Sequence, residues 1–266
     1  MTNVGFIGAG NMGYAIMKGI AGSALNNSIR LYAFDLSEEK LAAAKQTGAS
    51  VCKSASEVFD CCKYVFLAVK PQQLDDVLNE AAKSVKSDSV IISICAGISD
   101  EYIASKTVDG AKVVLVMPNT PLLLGEGATA LSRSDSVTDD EFALVRSIFD
   151  SCGETAVLPK DKMREVIAVN GSSPAFIYLY AKAFVDYAVS VGIDGEAALK
   201  LFAKSLIGSA KMLTDSGNSI ERLIEMVSSK GGTTIAGLEK LREGGLEDTV
   251  KKCCEACTAR AYELSK

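Results

Sequence analysis

Short apolar runs alternate with helical patterns through the first 160 residues. Residues 4–7, 30–34, 64–69, 90–94 and 113–116 are apolar or β-branched runs of strand length, each near Gly, Pro, Asp or Lys punctuation. Helical patterns cover 11–24 and 37–47. Strands separated by helices at this spacing predict βαβ units and a parallel sheet covered on both faces. Past Pro159 the texture changes, and no further strand pattern occurs. Long apolar patterns run over 162–191 and 197–213, the second with Asp194 placed as N-cap and Gly217 as stop. Ile220, Leu223, Ile224 and Val227 step i, i+3, i+4, i+7, and 246–264 reads as a closing amphipathic helix. The expected organisation is α/β over residues 1–160 and all-helical over 161–266, without an internal repeat or low-complexity tail.

Composition removes several chemistries. The chain of 266 residues has no histidine and no tryptophan. A His general base, a Ser-His-Asp or Cys-His couple and an imidazole metal ligand are therefore excluded. The net charge of −5 argues against a nucleic-acid partner, which wants a basic footprint. The longest apolar runs, such as 175–181, are too short to span a membrane. No signal-peptide pattern opens the chain, so the eight cysteines are expected to be reduced thiols in a cytoplasmic protein. Cys253-Cys254-x-x-Cys257 lacks the second ligand pair of a metal site. Leu246, Val250, Cys253, Cys257, Ala261 and Leu264 instead share one helix face, so no metal is expected.

One motif supplies chemistry. Gly8-Ala9-Gly10-Asn11-Met12-Gly13 follows a predicted strand, opens a predicted helix, and precedes Asp35 by 22 positions, counted from Gly13. This is the context that a Rossmann-like dinucleotide site requires. Gly8 allows the tight turn, Gly10 lets backbone approach a pyrophosphate, and Gly13 permits close helix–strand packing at a helix N-terminus that attracts the anion. Asp35 reads as a ribose ligand that favours NADH over NADPH, or as the start of a capping-box-like Asp35-x-x-Glu38; the two are compatible.

Three more segments follow in order: Ala68-Val69-Lys70-Pro71-Gln72, Met117-Pro118-Asn119-Thr120-Pro121, and Ser228-Ser229-Lys230-Gly231-Gly232-Thr233-Thr234-Ile235-Ala236-Gly237-Leu238 running on to Gly244-Gly245. With the glycine motif they resemble the pyrroline-5-carboxylate reductase family, NAD(P)H-dependent enzymes of the last step of proline synthesis. The resemblance runs from residue 4 to about 262. It implies that the helical part is a dimerisation domain of an intertwined homodimer or a higher homo-oligomer. It also implies cofactor contacts at Ile7, Gly8, Ala9, Gly10, Asn11, Met12, Gly13 and Asp35. Ala68, Val69, Lys70 and Pro71, then Cys95, Ala96 and Gly97, would serve the nicotinamide end. Ser229, Gly231, Gly232, Thr233 and Thr234 would form the substrate loop, with its amides on the carboxylate and the Thr234 hydroxyl on the ring nitrogen. From the residues alone, two glycines and two threonines entering a helix present N–H donors to an anion, and Thr233 or Thr234 as a simple N-cap stays open.

The chain departs from the family pattern in places. Lys230 stands where Pro is usual, Gly171-Ser172-Ser173-Pro174-Ala175-Phe176 replaces Gly-Ser-Gly-Pro-Ala-Tyr, and Ala55 replaces an Asn on the adenosine side of the cofactor. Gly5 to Gly13 and Asp35 also resemble β-hydroxyacid dehydrogenases, for which Lys182 is the nearest catalytic candidate. The expected reaction is reduction of 1-pyrroline-5-carboxylate to L-proline. Oxidation of a β-hydroxyacid, reduction of a related cyclic imine, and a non-catalytic NAD-binding regulator are the alternatives.

Overall fold

The computed structural model describes residues 1–265. Eight strands form one sheet: β1 (Thr2–Ile7), β2 (Ile29–Phe34), β3 (Ser50–Val51), β4 (Tyr64–Leu67), β5 (Val90–Ser93), β6 (Lys112–Met117), β7 (Gly127–Arg133) and β8 (Gly153–Val157). Their order is β3-β2-β1-β4-β5-β6-β7-β8. All neighbours are parallel except β6 and β7, which run antiparallel. The helices α1 (Asn11–Ala21), α2 (Glu38–Gln46), α3 (Ala55–Cys61), α4 (Leu74–Ala81), α5 (Asp100–Lys106) and α6 (Asp139–Asp150) connect them.

The central strands are largely apolar because both sheet faces are covered. β4 and β5 are buried throughout. Side-chain alternation divides β1 between two cores. Val4 and Phe6 pack with Ile16, Ile20 and Phe149 on one face, and Ile7 packs with Val58, Leu74 and Leu78 on the other. Phe6 stacks on Phe66 of the neighbouring strand, with ring centroids 4.4 Å apart. Gly5 meets α3 so closely that a Cβ there would fall 2.3 Å from the Val58 side chain.

Two compact units result. The first comprises residues 1–172 together with the carboxyl-terminal segment from Ala256, and the second is Ser173–Glu255. The change of sequence texture at Pro159 lies ahead of this division. Residues 160–172 belong with the sheet because Met163, Ala168 and Asn170 are buried against it. The continuous helical pattern over 162–191 is also interrupted. Ile167–Gly171 forms a π-helical turn closed by the Ser172 amide on the Ile167 carbonyl at 2.8 Å. α7 (Ser173–Ser190) starts after it, with Pro174 in the first turn where a missing N–H costs least.

The second unit contains α7, α8 (Gly195–Asp215), α9 (Ile220–Met226), α10 (Thr233–Glu243) and most of α11 (Leu246–Glu263). α8 has the expected N-cap, Asp194, which accepts the Ala197 amide at 2.9 Å. Phe184 of α7 stacks on Phe202 of α8 at 4.4 Å. Few side chains here are buried: α7 buries only Pro174 and Ala188, and α8 none. Tyr178, Leu179, Tyr187 and Leu201 are all more than 60% exposed, an apolar surface that a lone chain leaves to water. No helix among the described residues is long and apolar enough to cross a membrane.

Candidate active site

The strand order branches at β1, with β2 and β3 on one side and β4 to β8 on the other. An open α/β sheet forms its ligand crevice at the carboxyl ends of the strands at such a switch point. A cleft of about 800 Å³ opens there, beside the ends of β1, β2, β4, β5 and β6.

The glycines shape its floor. Gly8 has φ +102°, and a Cβ on it would lie 2.4 Å from the Ala68 carbonyl oxygen. A Cβ on Gly13 would fall 2.4 Å from the Gly8 carbonyl, so α1 can approach the strand only with glycine there. Gly10 differs, since nothing lies within 4 Å of the position a Cβ would take. Gly10 is the N-cap of α1 and no side chain caps the helix, leaving first-turn N–H donors to an outside acceptor. A pyrophosphate fits this open cradle. Ile7, Gly8, Gly10, Asn11, Met12, Asp35, Ala68 to Pro71, Cys95 and Ala96 line the cleft. Ala9 and Gly13 act from behind it, and Gly97 borders a smaller adjoining cavity.

Asp35 is heavily engaged. Its Oδ2 accepts the Ala9 amide at 2.9 Å and its Oδ1 the Ser37 amide at 2.9 Å. The N-cap of α2 is Ser37, whose Oγ accepts the Lys40 amide at 3.5 Å, so Asp35 is not the capping residue of a box with Glu38. Asp35 fixes the glycine loop to the end of β2 instead. Cys95 does similar work at the other end of the cleft. Burial pushes its thiol up to about 11, which keeps the S–H as a donor. That donor faces the carbonyls of Val69 at 3.3 Å and Leu67 at 3.5 Å, strapping β5 to the Ala68–Pro71 segment.

Lys40 lines the cleft without a sequence signal of its own, and so do four residues that sit within the motifs but were given no role there, Met117, Pro118, Gly171 and Ser172. Two buried asparagines place the last four. Asn170 Nδ2 donates to the Met117 carbonyl at 2.7 Å and the Ala128 carbonyl at 3.0 Å. Asn119 Oδ1 accepts the Ala128 amide at 2.9 Å while its Nδ2 donates to the Asn170 carbonyl at 3.2 Å. The asparagine of Met117-Pro118-Asn119-Thr120-Pro121 is thus a clamp beneath the cleft. Ser172 also meets the Cys257 thiol at 3.2 Å.

The carboxyl-terminal turn covers the Gly97 loop. A Cβ on Gly97, at φ +77°, would sit 3.4 Å from the Ala261 carbonyl and 3.5 Å from Ser265 Oγ. Arg164 holds this turn through Ser265 at 2.8 Å and through the Tyr262 ring, 5.2 Å from its guanidinium. Tyr262 donates to Glu165 at 2.7 Å.

In the second unit, Gly231 has φ +71° and the N-cap of α10 is Gly232. Thr233 and Thr234 are therefore the first two helical residues, and neither serves as N-cap. No side chain caps α10, so the N–H groups of its first turn remain open to an anion. A Cβ on Gly232 would lie 2.5 Å from Ser229 Oγ and 3.0 Å from the Ser229 carbonyl oxygen, so the turn Ser229–Gly232 is tight there. Thr233, Thr234 and Lys230 are exposed. Lys182 is exposed on α7 and ion-paired with Asp186, one turn on.

The Escherichia coli (strain K12) protein named pyrroline-5-carboxylate reductase is 36% identical over 264 residues, covering 99% of this chain and 98% of that one. The chain belongs to the pyrroline-5-carboxylate reductase family. The reductases' dimerisation model matches residues 160–264, and a model described as NADP oxidoreductase, coenzyme F420-dependent, matches residues 3–97. A pyrroline-5-carboxylate reductase from Coxiella burnetii superposes with a TM-score of 0.92 at 30% identity, covering 100% of this chain and 99% of that one. The Plasmodium falciparum pyrroline carboxylate reductase, solved with NADP bound, gives 0.88 at 29% identity, covering 100% of this chain and 98% of that one. The expected fold, a Rossmann-like domain followed by a helical reductase dimerisation domain, is the observed one.

Proposed function

We infer that this chain reduces 1-pyrroline-5-carboxylate to L-proline with NAD(P)H. The carrying observation is identity of more than a third with a named reductase over 99% of the chain. The uncapped glycine cradle and the uncapped α10 turn support it, since each offers backbone donors to an anion.

When bound, NAD(P)H supplies the hydride. The first-turn amides of α1 hold its pyrophosphate past Gly10, and the Ala68–Pro71 and Cys95–Gly97 segments orient its nicotinamide end. The amides of Thr233 and Thr234 take the substrate carboxylate. The Thr234 hydroxyl hydrogen-bonds the ring nitrogen and so orients the imine carbon. Much of the rate acceleration comes from this positioning. No histidine is needed, because the ring nitrogen is itself basic and arrives protonated. An alcohol dehydrogenase, by contrast, must manage a hydroxyl proton, often with His or Lys. Lys182, solvated and paired with Asp186, offers no support for the hydroxyacid reading.

The working form is a homodimer, supported by the exposed apolar faces of α7 and α8 and by the match of residues 160–264 to the reductases' dimerisation model. A steady-state assay with 1-pyrroline-5-carboxylate, run with NADH and with NADPH, tests the function. Cofactor oxidation with matching formation of proline is expected. Oxidation of a β-hydroxyacid without turnover of the imine would overturn the reading.

A further inference from the structure

The charge at the adenosine end of the cleft does not follow from the identity of Asp35 alone. A carboxylate there excludes a 2′-phosphate when it faces the ribose uncompensated. Here the Asp35 side chain is only 11% exposed, and both oxygens are turned to the backbone, one to the Ala9 amide and one to the Ser37 amide, each at 2.9 Å. Lys40 Nζ stands 3.5 Å from Oδ1. Half of the Lys40 side chain remains exposed, and it lines the cleft beside Asp35 and Leu36. An ammonium has three donors, and one partner leaves the others for a second anion. Glu80, a further carboxylate on the lining, accepts the Ala55 amide at 3.0 Å and so is directed to the start of α3. Asp76 and Lys70 are the remaining charged groups on the lining. The adenosine wall thus holds a compensated, inward-turned carboxylate and a half-exposed cation beside it.

We propose that Lys40 is the specificity-determining residue of the cofactor cleft: it takes the 2′-phosphate of NADPH and offsets Asp35, so that NADPH is accepted despite an acidic residue at the end of β2. The inference rests on the dinucleotide reading of the cleft given above. Lys40 Nζ moves from sharing Asp35 to bridging Asp35 and the phosphate. With NADH it keeps only the Asp35 contact.

The test needs no turnover. Bound NADH is followed by its own fluorescence in a chain free of tryptophan. It is displaced with adenosine 2′,5′-bisphosphate and with 5′-AMP, two fragments that differ only in the 2′-phosphate. In the unaltered protein the bisphosphate displaces at lower concentration. Lys40→Ala shifts the ratio of the two midpoints about tenfold toward 5′-AMP, the scale of one charge-assisted contact at a half-exposed site. Lys40→Arg restores the ratio, and Asp35→Ser shifts it the other way. A ratio unmoved by Lys40→Ala, or an equal weakening of both fragments, overturns the proposal. Failure of NADH to bind at all would bring down the dinucleotide reading itself, a result readily told from an unmoved ratio.

Discussion

Thr234 can be tested without disturbing what surrounds it. The hydroxyl caps nothing, since Gly232 is the N-cap of α10, and the residue is exposed. Thr234→Ala should leave the melting temperature nearly unchanged, as exposed substitutions do. Its kcat should fall on the order of 10²-fold, the scale for losing one positioned hydrogen-bond partner at a reacting centre. Thr234→Ser should recover most of that loss, and near-full activity of the alanine variant would remove the assigned role. The glycine cradle separates fold from binding in the same way. Gly10→Ala meets no protein atom within 4 Å, so it should fold normally, yet weaken NADH and NADPH about equally in a fluorescence titration. Gly8→Ala meets the Ala68 carbonyl at φ +102° and should instead lower the melting temperature by several degrees. At this scale much was legible in the sequence, because each glycine of Gly8-x-Gly10-x-x-Gly13 answers a local steric demand. Lys40, Asn170 and Ser172 were not legible. Lys40 is close to Asp35 in the chain but belongs to no motif, while Asn170 and Ser172 act through Met117 and Cys257, 53 and 85 positions away.

Among the elements, α6 is fixed by one carboxylate. Glu141 closes a capping box with Thr138, and its carboxylate also takes Lys112 at 2.8 Å and Lys63 at 2.9 Å. Burial alone would raise its pKa, but the two ammonium groups and the Thr138 amide outweigh that and hold it at about 2, against an ordinary 4.5. A depressed carboxylate stabilises the fold fully above the unfolded value, and the contribution fades as pH falls from about 5 toward 2. At neutral pH it is on the order of 3 kcal/mol. Glu141→Gln should therefore lower stability in urea unfolding at pH 7, and the gap from the unaltered protein should narrow by pH 3. A gap independent of pH would mean that lost packing, not charge, is responsible. The capping box Thr138-x-x-Glu141 is a local signal, whereas the reach to Lys63 and Lys112 is tertiary. Strand legibility follows the same division. The buried strands β1, β4, β5 and β6 announce themselves as apolar runs. β7, with the sequence GATALSR, and β8, with GETAV on the sheet edge and largely exposed, show no such run and are held by pairing with their neighbours.

For the whole molecule, the balance of buried and exposed surface sets the oligomeric state. The sheet carries two continuous cores, while the unit Ser173–Glu255 leaves most of its large apolar side chains in water. Burial of such surface is the main source of stability, so a solitary copy would lack it over 83 residues. Light scattering at micromolar concentration should give a mass of at least two chains of 28.0 kDa, and the melting temperature should rise with protein concentration. A monomer across that range would count against the assignment. The helical character of this part was readable from periodicity. Its division from the sheet at Ser172 was not, because residues 160–172 look helical and yet bury Met163 and Asn170 beneath the cleft.

The turn at Ala261–Ser265 has a practical consequence. Here Ser265 is fastened to Arg164 and lies against Gly97, so a larger side chain at this position would press on the loop proposed for the nicotinamide. A probe or cross-link placed on this turn would report on the cleft and not on a remote surface.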